Sequence, residues 1–152
     1  MTKIKYKNYT IAIEQDQDPE SPREWDNFGH MICFHSRYTL GDKHEFTRDS
    51  FIDFLRDYKN VIRLPLYLYD HSGISISCGE RVYPYNDAWD SSSIGFIYVT
   101  KEEILKEFGG KIVTAKLLKK AIDIMRGEVE TYNKYLTGEI VSFVVEKDGK
   151  II

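Results

Sequence analysis

Cysteine is scarce in this chain, and long apolar runs are missing. Cys33 and Cys78 are the only two cysteines in 152 residues, too few for a disulfide-dense secreted scaffold. Both lie in apolar, strand-like segments, so we expect two buried thiols in a reducing compartment. No apolar run approaches the roughly 20 residues of a membrane-spanning helix, and the first six residues lack the apolar region of a signal peptide. We therefore expect a cytoplasmic protein without membrane contact.

The charge balance is also weak. A net charge of −3 supports neither a basic nucleic-acid-binding face nor the dense acidic surface of a DNA mimic. Direct nucleic-acid binding is therefore not expected. Aromatic residues are abundant, with eleven Tyr, eight Phe and two Trp, and this excess suits a thick core or a binding surface.

Established catalytic and cofactor-binding motifs are missing as well. The sequence contains no Gly-x-Gly-x-x-Gly, phosphate loop, Cys-x-x-Cys, His-Glu-x-x-His or Gly-x-Ser-x-Gly pattern. We therefore do not expect one of the enzymes that these motifs mark, and we expect no cofactor beyond a divalent metal. The length predicts a single domain over residues 1–152.

Period-two patterns alternate with helical ones along the chain. Thr100-Lys101-Glu102-Glu103 is a capping box, and Thr114 begins a long amphipathic pattern that ends at Gly138. The segment 15–23 indicates an exposed acidic loop. Direct hairpin connections dominate, which predicts an α+β fold: a mainly antiparallel sheet with about three helices packed on one face. The predicted strands are 3–15 (with a turn near Asn8), 30–35, 61–69, 74–78, 94–99 and 140–145, and the predicted helices are 47–60, 100–109 and 114–138.

Polar and reactive residue types cluster in three loops, around residues 25–44, 70–71 and 86–91. If these loops meet at one end of the sheet, their carboxylate and imidazole groups are suitable metal ligands. The alternative is that Asp42 and Asp70 are turn residues bonded to their own backbone and that His35 is a polar group at a strand end. Cys33 and His35 share a strand face, but no third group completes a nucleophilic site. The metal candidates are His35, Asp70 and His71, together with Asp26 and Asp90 if the site hydrolyses its substrate.

The loop 83–90 combines aromatic and acidic residues and is the best candidate for a contact surface. Tyr and Trp are rigid anchors that dominate interface hot spots. The alternative is that Tyr83 and Trp89 fold back over the sheet edge. We expect one surface shared by the three loops, with at least one direct hydrogen bond among the Asp and His candidates and with both tryptophans packed as supports. The predicted binding residues are Trp25, Asp26, Tyr83, Tyr85, Asp87, Trp89 and Asp90.

These loops resemble a family of small proteins carried by bacteriophages and integrated elements of Gram-positive and gut bacteria. The resemblance covers residues 11–145 and implies an origin, since no biochemical activity comes with it. One departure is that such proteins tend to have a Pro-Trp-Asp-Ser-Gly-type run where this chain has Ala88-Trp89-Asp90-Ser91-Ser92-Ser93. The segments that carry the resemblance are Glu24-Trp25-Asp26-Asn27-Phe28-Gly29, residues 31–42, Leu64-Pro65-Leu66-Tyr67-Leu68-Tyr69-Asp70-His71-Ser72-Gly73-Ile74, Trp89-Asp90-Ser91, Gly95-Phe96-Ile97-Tyr98-Val99 and residues 128–138.

The resemblance and the missing catalytic motifs favour an accessory protein of phage or mobile-element type. We expect it to bind a host protein or a protein–nucleic acid complex, as an inhibitor of a defence system such as CRISPR or restriction. Two alternatives stay open: a metal-dependent hydrolase or nuclease that uses the Asp/His cluster, and a structural role within an oligomer.

Overall fold

The computed structural model describes residues 1–80 and 92–152, and in these residues it has three α-helices and eight β-strands. The strands form two antiparallel sheets of four strands each. The predicted α+β class is therefore confirmed, with two sheets in place of the single one expected. Among the helices of the described ranges, none is long and apolar enough to cross a membrane.

The first sheet, here called the central sheet, has the order β3-β6-β4-β5. Strands β3 and β4 each pair antiparallel with β6, which lies between them. They therefore run parallel to each other, and their last residues lie at the end of the sheet where β6 begins. This placement decides which loops meet. The bounds are β3 His30–Cys33, β4 Val61–Asp70, β5 Ile74–Cys78 and β6 Ser93–Thr100.

Helices cover both faces of the central sheet. Alternate residues of β6 point to opposite faces: Phe96 and Tyr98 cluster with Phe51 of the first helix, whereas Ile97 and Val99 cluster with residues of the third. The sequence predicted helices on one face only, whereas the structure has them on both. The nearly continuous buried run of β6 is typical of a strand that is covered on both sides. The helices are α1 Arg48–Asp57, α2 Lys101–Phe108 and α3 Ala115–Leu136.

The helix boundaries follow from local side-chain bonds. Thr100 accepts a hydrogen bond from Glu103 N (3.1 Å), and the Glu103 carboxylate accepts one from Thr100 N (3.0 Å), which confirms the capping box. Thr47 makes the equivalent reciprocal pair with Ser50. Thr114 accepts a bond from the amide of Leu117 at 3.2 Å and begins α3. Each cap satisfies amide groups that have no partner within the helix.

The second sheet, here called the terminal sheet, joins the two ends of the chain. Its order is β1-β2-β7-β8, and Gln15 Nε2 donates to the carbonyl of Gly138 at 2.8 Å where the sheet meets the end of α3. No residue of its four strands is buried. The strands are β1 Thr2–Tyr6, β2 Tyr9–Gln15, β7 Val141–Lys147 and β8 Lys150–Ile151.

The segment before β3 departs from the expectation of an exposed acidic loop. Pro22–Glu24 forms a short 3-10 turn in which Pro22 and Arg23 are buried. Arg23 forms an ion pair with Asp42, so Asp42 is not simply a turn residue bonded to its own backbone. The partners lie 19 residues apart, and a pattern confined to residues 15–23 gives no sign of such a pair.

Candidate functional site

The loops that follow β3 and β4 meet at one end of the central sheet. His35 comes two residues after the end of β3, Asp70 ends β4, and His71 begins the turn to β5. The sequence analysis predicted this meeting. Residues at this end form the strand-end surface, which consists of His35, Arg37, Tyr38, Tyr69, Asp70 and His71.

Asp70 is the centre of the strand-end surface. Its Oδ2 atom accepts a hydrogen bond from Arg37 Nη2 at 2.6 Å and one from the Tyr38 hydroxyl at 3.2 Å. The Arg37 guanidinium also lies over the Tyr38 ring, 5.5 Å from its centroid. Charge-assisted bonds of this length are among the stronger hydrogen bonds in proteins. They hold the loop 35–38 against the end of β4.

His35 fixes the shape of the same loop. Its Nδ1 atom accepts hydrogen bonds from the amides of Arg37 (3.1 Å) and Tyr38 (3.2 Å). Since Nδ1 acts as an acceptor, the neutral imidazole carries its proton on Nε2. The ring also lies 4.9 Å from the Tyr38 ring, centroid to centroid. His35 therefore organises the turn that presents Arg37.

Two side chains of this surface are strongly exposed. Tyr69 retains 67% of its accessible surface, and its ring meets His71 edge-on at 6.0 Å. The Arg37 side chain is 68% exposed although it is ion-paired. Tyr and Arg are enriched among the residues that contribute most to protein interfaces. Arg37 is thus an exposed side chain on a loop that is already ordered, whereas Tyr69 lies in β4 and projects to the sheet face opposite that of its neighbour Asp70.

A cavity of about 800 Å³ adjoins the strand-end surface and shares His35 and Tyr38 with it. Its other walls come from the loop up to residue 44, from Arg48 at the start of α1 and from residues 92–94. Charged side chains of both signs line it, namely Asp42, Lys43 and Arg48. His44 is held in place, with Nε2 3.1 Å from the carbonyl of Cys33 and Nδ1 accepting from the Phe46 amide at 3.1 Å. A cavity of this size accepts a large side chain of a partner.

Cys33 lies in the wall of the cavity but is not an activated nucleophile. Burial raises the pKa of its thiol to about 12, and the negative charge of Asp42 adds to that rise while Arg23 opposes it. A reactive cysteine needs a lowered pKa, because the thiolate is the attacking species. His35, which follows the end of β3, uses Nδ1 for two backbone amides. Cys33 and His35 are therefore arranged as structural residues, and not as a nucleophile with its base.

The metal candidates within the described residues do not form a ligand set. Across residues 1–80 and 92–152, no group of three or more His, Cys, Asp or Glu side chains is placed to hold a metal ion. Asp70 binds Arg37 and Tyr38, and His71 meets Tyr69. As expected, the candidates His35, Asp70 and His71 lie at one end of the sheet. Their side chains contact other residues of the chain there.

Several predicted site residues lie elsewhere. Trp25 and Asp26 precede β3, so they lie toward the opposite end of the strand from His35. Trp25 is 54% exposed and is not the packed support that we expected. Within the described ranges, no direct hydrogen bond joins Asp26, His35, Asp70 and His71 to one another. Tyr83, Tyr85, Asp87, Trp89 and Asp90 lie outside the described residues.

The sequence analysis did not select Arg37, Tyr38 or Tyr69 as site residues. Each stands beside a residue that it did select, either His35 or Asp70. Their residue types were the available signal, since Tyr and Arg are enriched in protein interfaces. In this loop the titratable residues His35 and Asp70 hold Arg37 and Tyr38 in place.

Comparison with protein-family models, with curated proteins and with solved structures gives no match.

Proposed function

We propose that this protein acts by binding another macromolecule through the strand-end surface. The observation that carries the proposal is the presentation of Arg37, 68% exposed, on a loop fixed by Asp70 and His35, with Tyr69, 67% exposed, one residue before Asp70 in β4. Pre-ordering lowers the entropy that binding costs, because a side chain already held in one conformation loses less freedom. The adjoining cavity of about 800 Å³ offers a pocket for an anchoring side chain of the partner.

The chemistry of the surface favours a protein partner. The surface itself carries one carboxylate and one guanidinium, joined to each other, between tyrosine and histidine rings. Nucleic-acid sites instead carry clustered positive charge that neutralises several phosphates. Tyrosine with mixed charges is typical of protein interfaces.

The resemblance to phage and prophage proteins supports a host component as this partner. An accessory protein of that type binds a host protein or a protein–nucleic acid complex, and we propose inhibition of a defence system such as CRISPR or restriction as the outcome. A compact binding domain suffices for this role, because occlusion of an effector surface requires no chemistry.

Phage plating on bacteria with an active CRISPR or restriction system tests the proposal. Expression of the wild-type protein should raise plating efficiency, and Tyr69→Ala and Arg37→Ala should each remove most of the gain. Trp25→Ala is the matched control: it removes an exposed aromatic side chain that does not belong to the surface. Equal loss with Trp25→Ala, or no loss with the other two variants at equal protein levels, would contradict the proposed site.

A further inference from the structure

The terminal sheet has one apolar face. Residues opposite each other in neighbouring strands project to the same side, and the register pairs Ile4 with Ile11, and Ile11 in turn with Val145. The alternate residues, such as Lys3, Lys5 and Glu14, project to the other side. The apolar face therefore holds Ile4, Tyr6, Tyr9, Ile11, Ile13, Val141, Phe143 and Val145, with Thr2, Gln15, Lys147 and Lys150 at its margins.

Within the described structure, none of these eight side chains is buried. Phe143 is 67% exposed, Tyr6 61%, Val141 59% and Ile4 47%. An antiparallel sheet ordinarily packs one face on a core and solvates the other. Here lysine ammonium groups lie over two rings of the apolar face, Lys147 Nζ 5.4 Å from the Tyr9 centroid and Lys7 Nζ 5.5 Å from the Tyr6 centroid. The described residues give the rest of this face no cover. A contiguous apolar patch of this kind marks an interaction site.

We propose that a second copy of this chain covers the apolar face, so that two terminal sheets pack face to face in a symmetric dimer. The area fits. The exposed parts of the eight side chains amount to roughly 600 Å², taking 150–250 Å² for a whole aromatic residue and less for an aliphatic one. A standard interface takes about 800 Å² from each partner, so this face supplies most of the area that a stable dimer needs.

The edge strand β1 favours face-to-face packing over edge-to-edge pairing. A symmetric antiparallel pairing of two β1 strands about Ile4 would set Lys3 of one copy directly opposite Lys5 of the other. Like charges in that position are destabilising, and lysine on an edge strand is a common protection against such pairing. The centre of the apolar face carries no charge, so two copies meet there without burying an unpaired ion.

The two ends of the sheet carry opposite charge, which sets the orientation. Lys7, Lys147 and Lys150 lie at the turns of one end, where Asp148 offsets part of their charge. The segment 16–20, with Asp16, Asp18 and Glu20, follows the other end of β2. A two-fold axis across the strands places the lysine-rich end of each copy over the acidic segment of the other. Complementary charge of this kind fixes register and orientation.

Analytical ultracentrifugation of the wild-type protein and Phe143→Glu tests the dimer. The wild-type protein should sediment at twice the chain mass of 17.8 kDa at micromolar concentration. Phe143→Glu should raise the dimer dissociation constant by about a hundredfold, since it buries a charge without a partner. Lys3→Gln, on the polar face of the same sheet, should leave that constant unchanged. Far-ultraviolet circular dichroism confirms that each variant is folded.

A charge reversal tests the orientation. Lys147→Glu should weaken the dimer, and adding Asp18→Lys should restore part of the loss, because the two-fold axis places the lysine-rich end over the acidic segment. A wild-type protein that stays monomeric at about 100 µM would overturn the proposal and leave the face to a different protein. A dimer that survives Phe143→Glu unchanged would also overturn it, as would a charge reversal without effect.

Discussion

Arg23 and Asp42 form a two-bond ion pair across the segment that contains β3. Arg23 Nε lies 2.7 Å from Asp42 Oδ1, and Arg23 Nη2 lies 2.9 Å from Oδ2. The same Nη2 donates to the carbonyl of Gly29 at 2.8 Å, and Asp42 Oδ2 also accepts from the amide of Met31 at 2.8 Å. The Arg23 side chain is only 2% exposed. The pair thus fixes the chain on both sides of β3, and with it the start of the loop that carries His35 and Arg37.

Removal of Asp42 should be strongly destabilising. Asp42→Ala leaves the Arg23 charge buried without a counter-ion and the Met31 amide without its acceptor, which costs on the order of 3–5 kcal/mol of unfolding free energy. Urea denaturation measures this loss. Asp53→Ala is the control, because Asp53 pairs with Arg56 at 3.6 Å with both side chains exposed, and such a pair contributes about 0–1 kcal/mol. Equal losses for the two variants would contradict this view of Asp42.

Gly95 allows β3 and β6 to pair closely. A Cβ atom at this position would stand 1.9 Å from the carbonyl oxygen of Ile32 and 2.9 Å from the Cα of Cys33, and both contacts are with backbone. Gly95→Ala should therefore force the two strands apart and prevent the protein from folding stably. Thermal unfolding followed by circular dichroism detects this effect.

Gly127 is the matched position for that test. It lies within α3, and a Cβ atom there would meet nothing within 4 Å. Gly127→Ala should raise the unfolding free energy by about 0.5–1 kcal/mol, since alanine loses less backbone entropy in a helix. A tolerated Gly95→Ala, or a destabilising Gly127→Ala, would show that the strand and helix packing differs from this description.

Cys33 should make the free energy of unfolding depend on pH in the alkaline range. Its pKa rises on folding from 9.0 to about 12, so between those values the folded chain keeps a proton that the unfolded chain has lost. The contribution of the Cys33 thiol to the free energy of unfolding is complete below pH 9 and disappears as pH rises toward 12. We expect iodoacetamide at pH 9 to modify Cys33 only after the addition of denaturant, as measured by mass spectrometry. Rapid modification of the native protein would contradict the buried, protonated thiol.

Local features of the fold were predictable from sequence. The capping box at Thr100 and the start of α3 at Thr114 depend on residues within one turn of helix, so the sequence pattern contains all that determines them. The Arg23–Asp42 pair and the two-sheet arrangement depend on residues far apart in the chain. Strand β7 pairs with β2 at Gln15↔Val141, for example, and periodicity within either strand does not select its partner.

The candidate site was predictable in part for the same reason. The sequence pattern placed His35 and Asp70 at the ends of two predicted strands. These strand ends lie at the same end of the sheet and bring the two residues together. The pattern did not give the direction of β3 relative to β4, and this direction decides that His35, not Trp25, lies at the end of the sheet where Asp70 is. Nor did it show that Asp70 would accept hydrogen bonds from Arg37 and Tyr38, because those contacts depend on how the loop after β3 folds back onto β4.

Site-specific photo-crosslinking from position 69 is the most direct test of the proposed function. A photoreactive amino acid replaces Tyr69 in one protein and Trp25 in a second, and each is irradiated in lysate of a bacterial host with an active defence system. We expect position 69 to crosslink to one host macromolecule. Excess wild-type protein should compete for that macromolecule, while Arg37→Ala should not. A crosslink to the same macromolecule from position 25 and none from position 69 would contradict it.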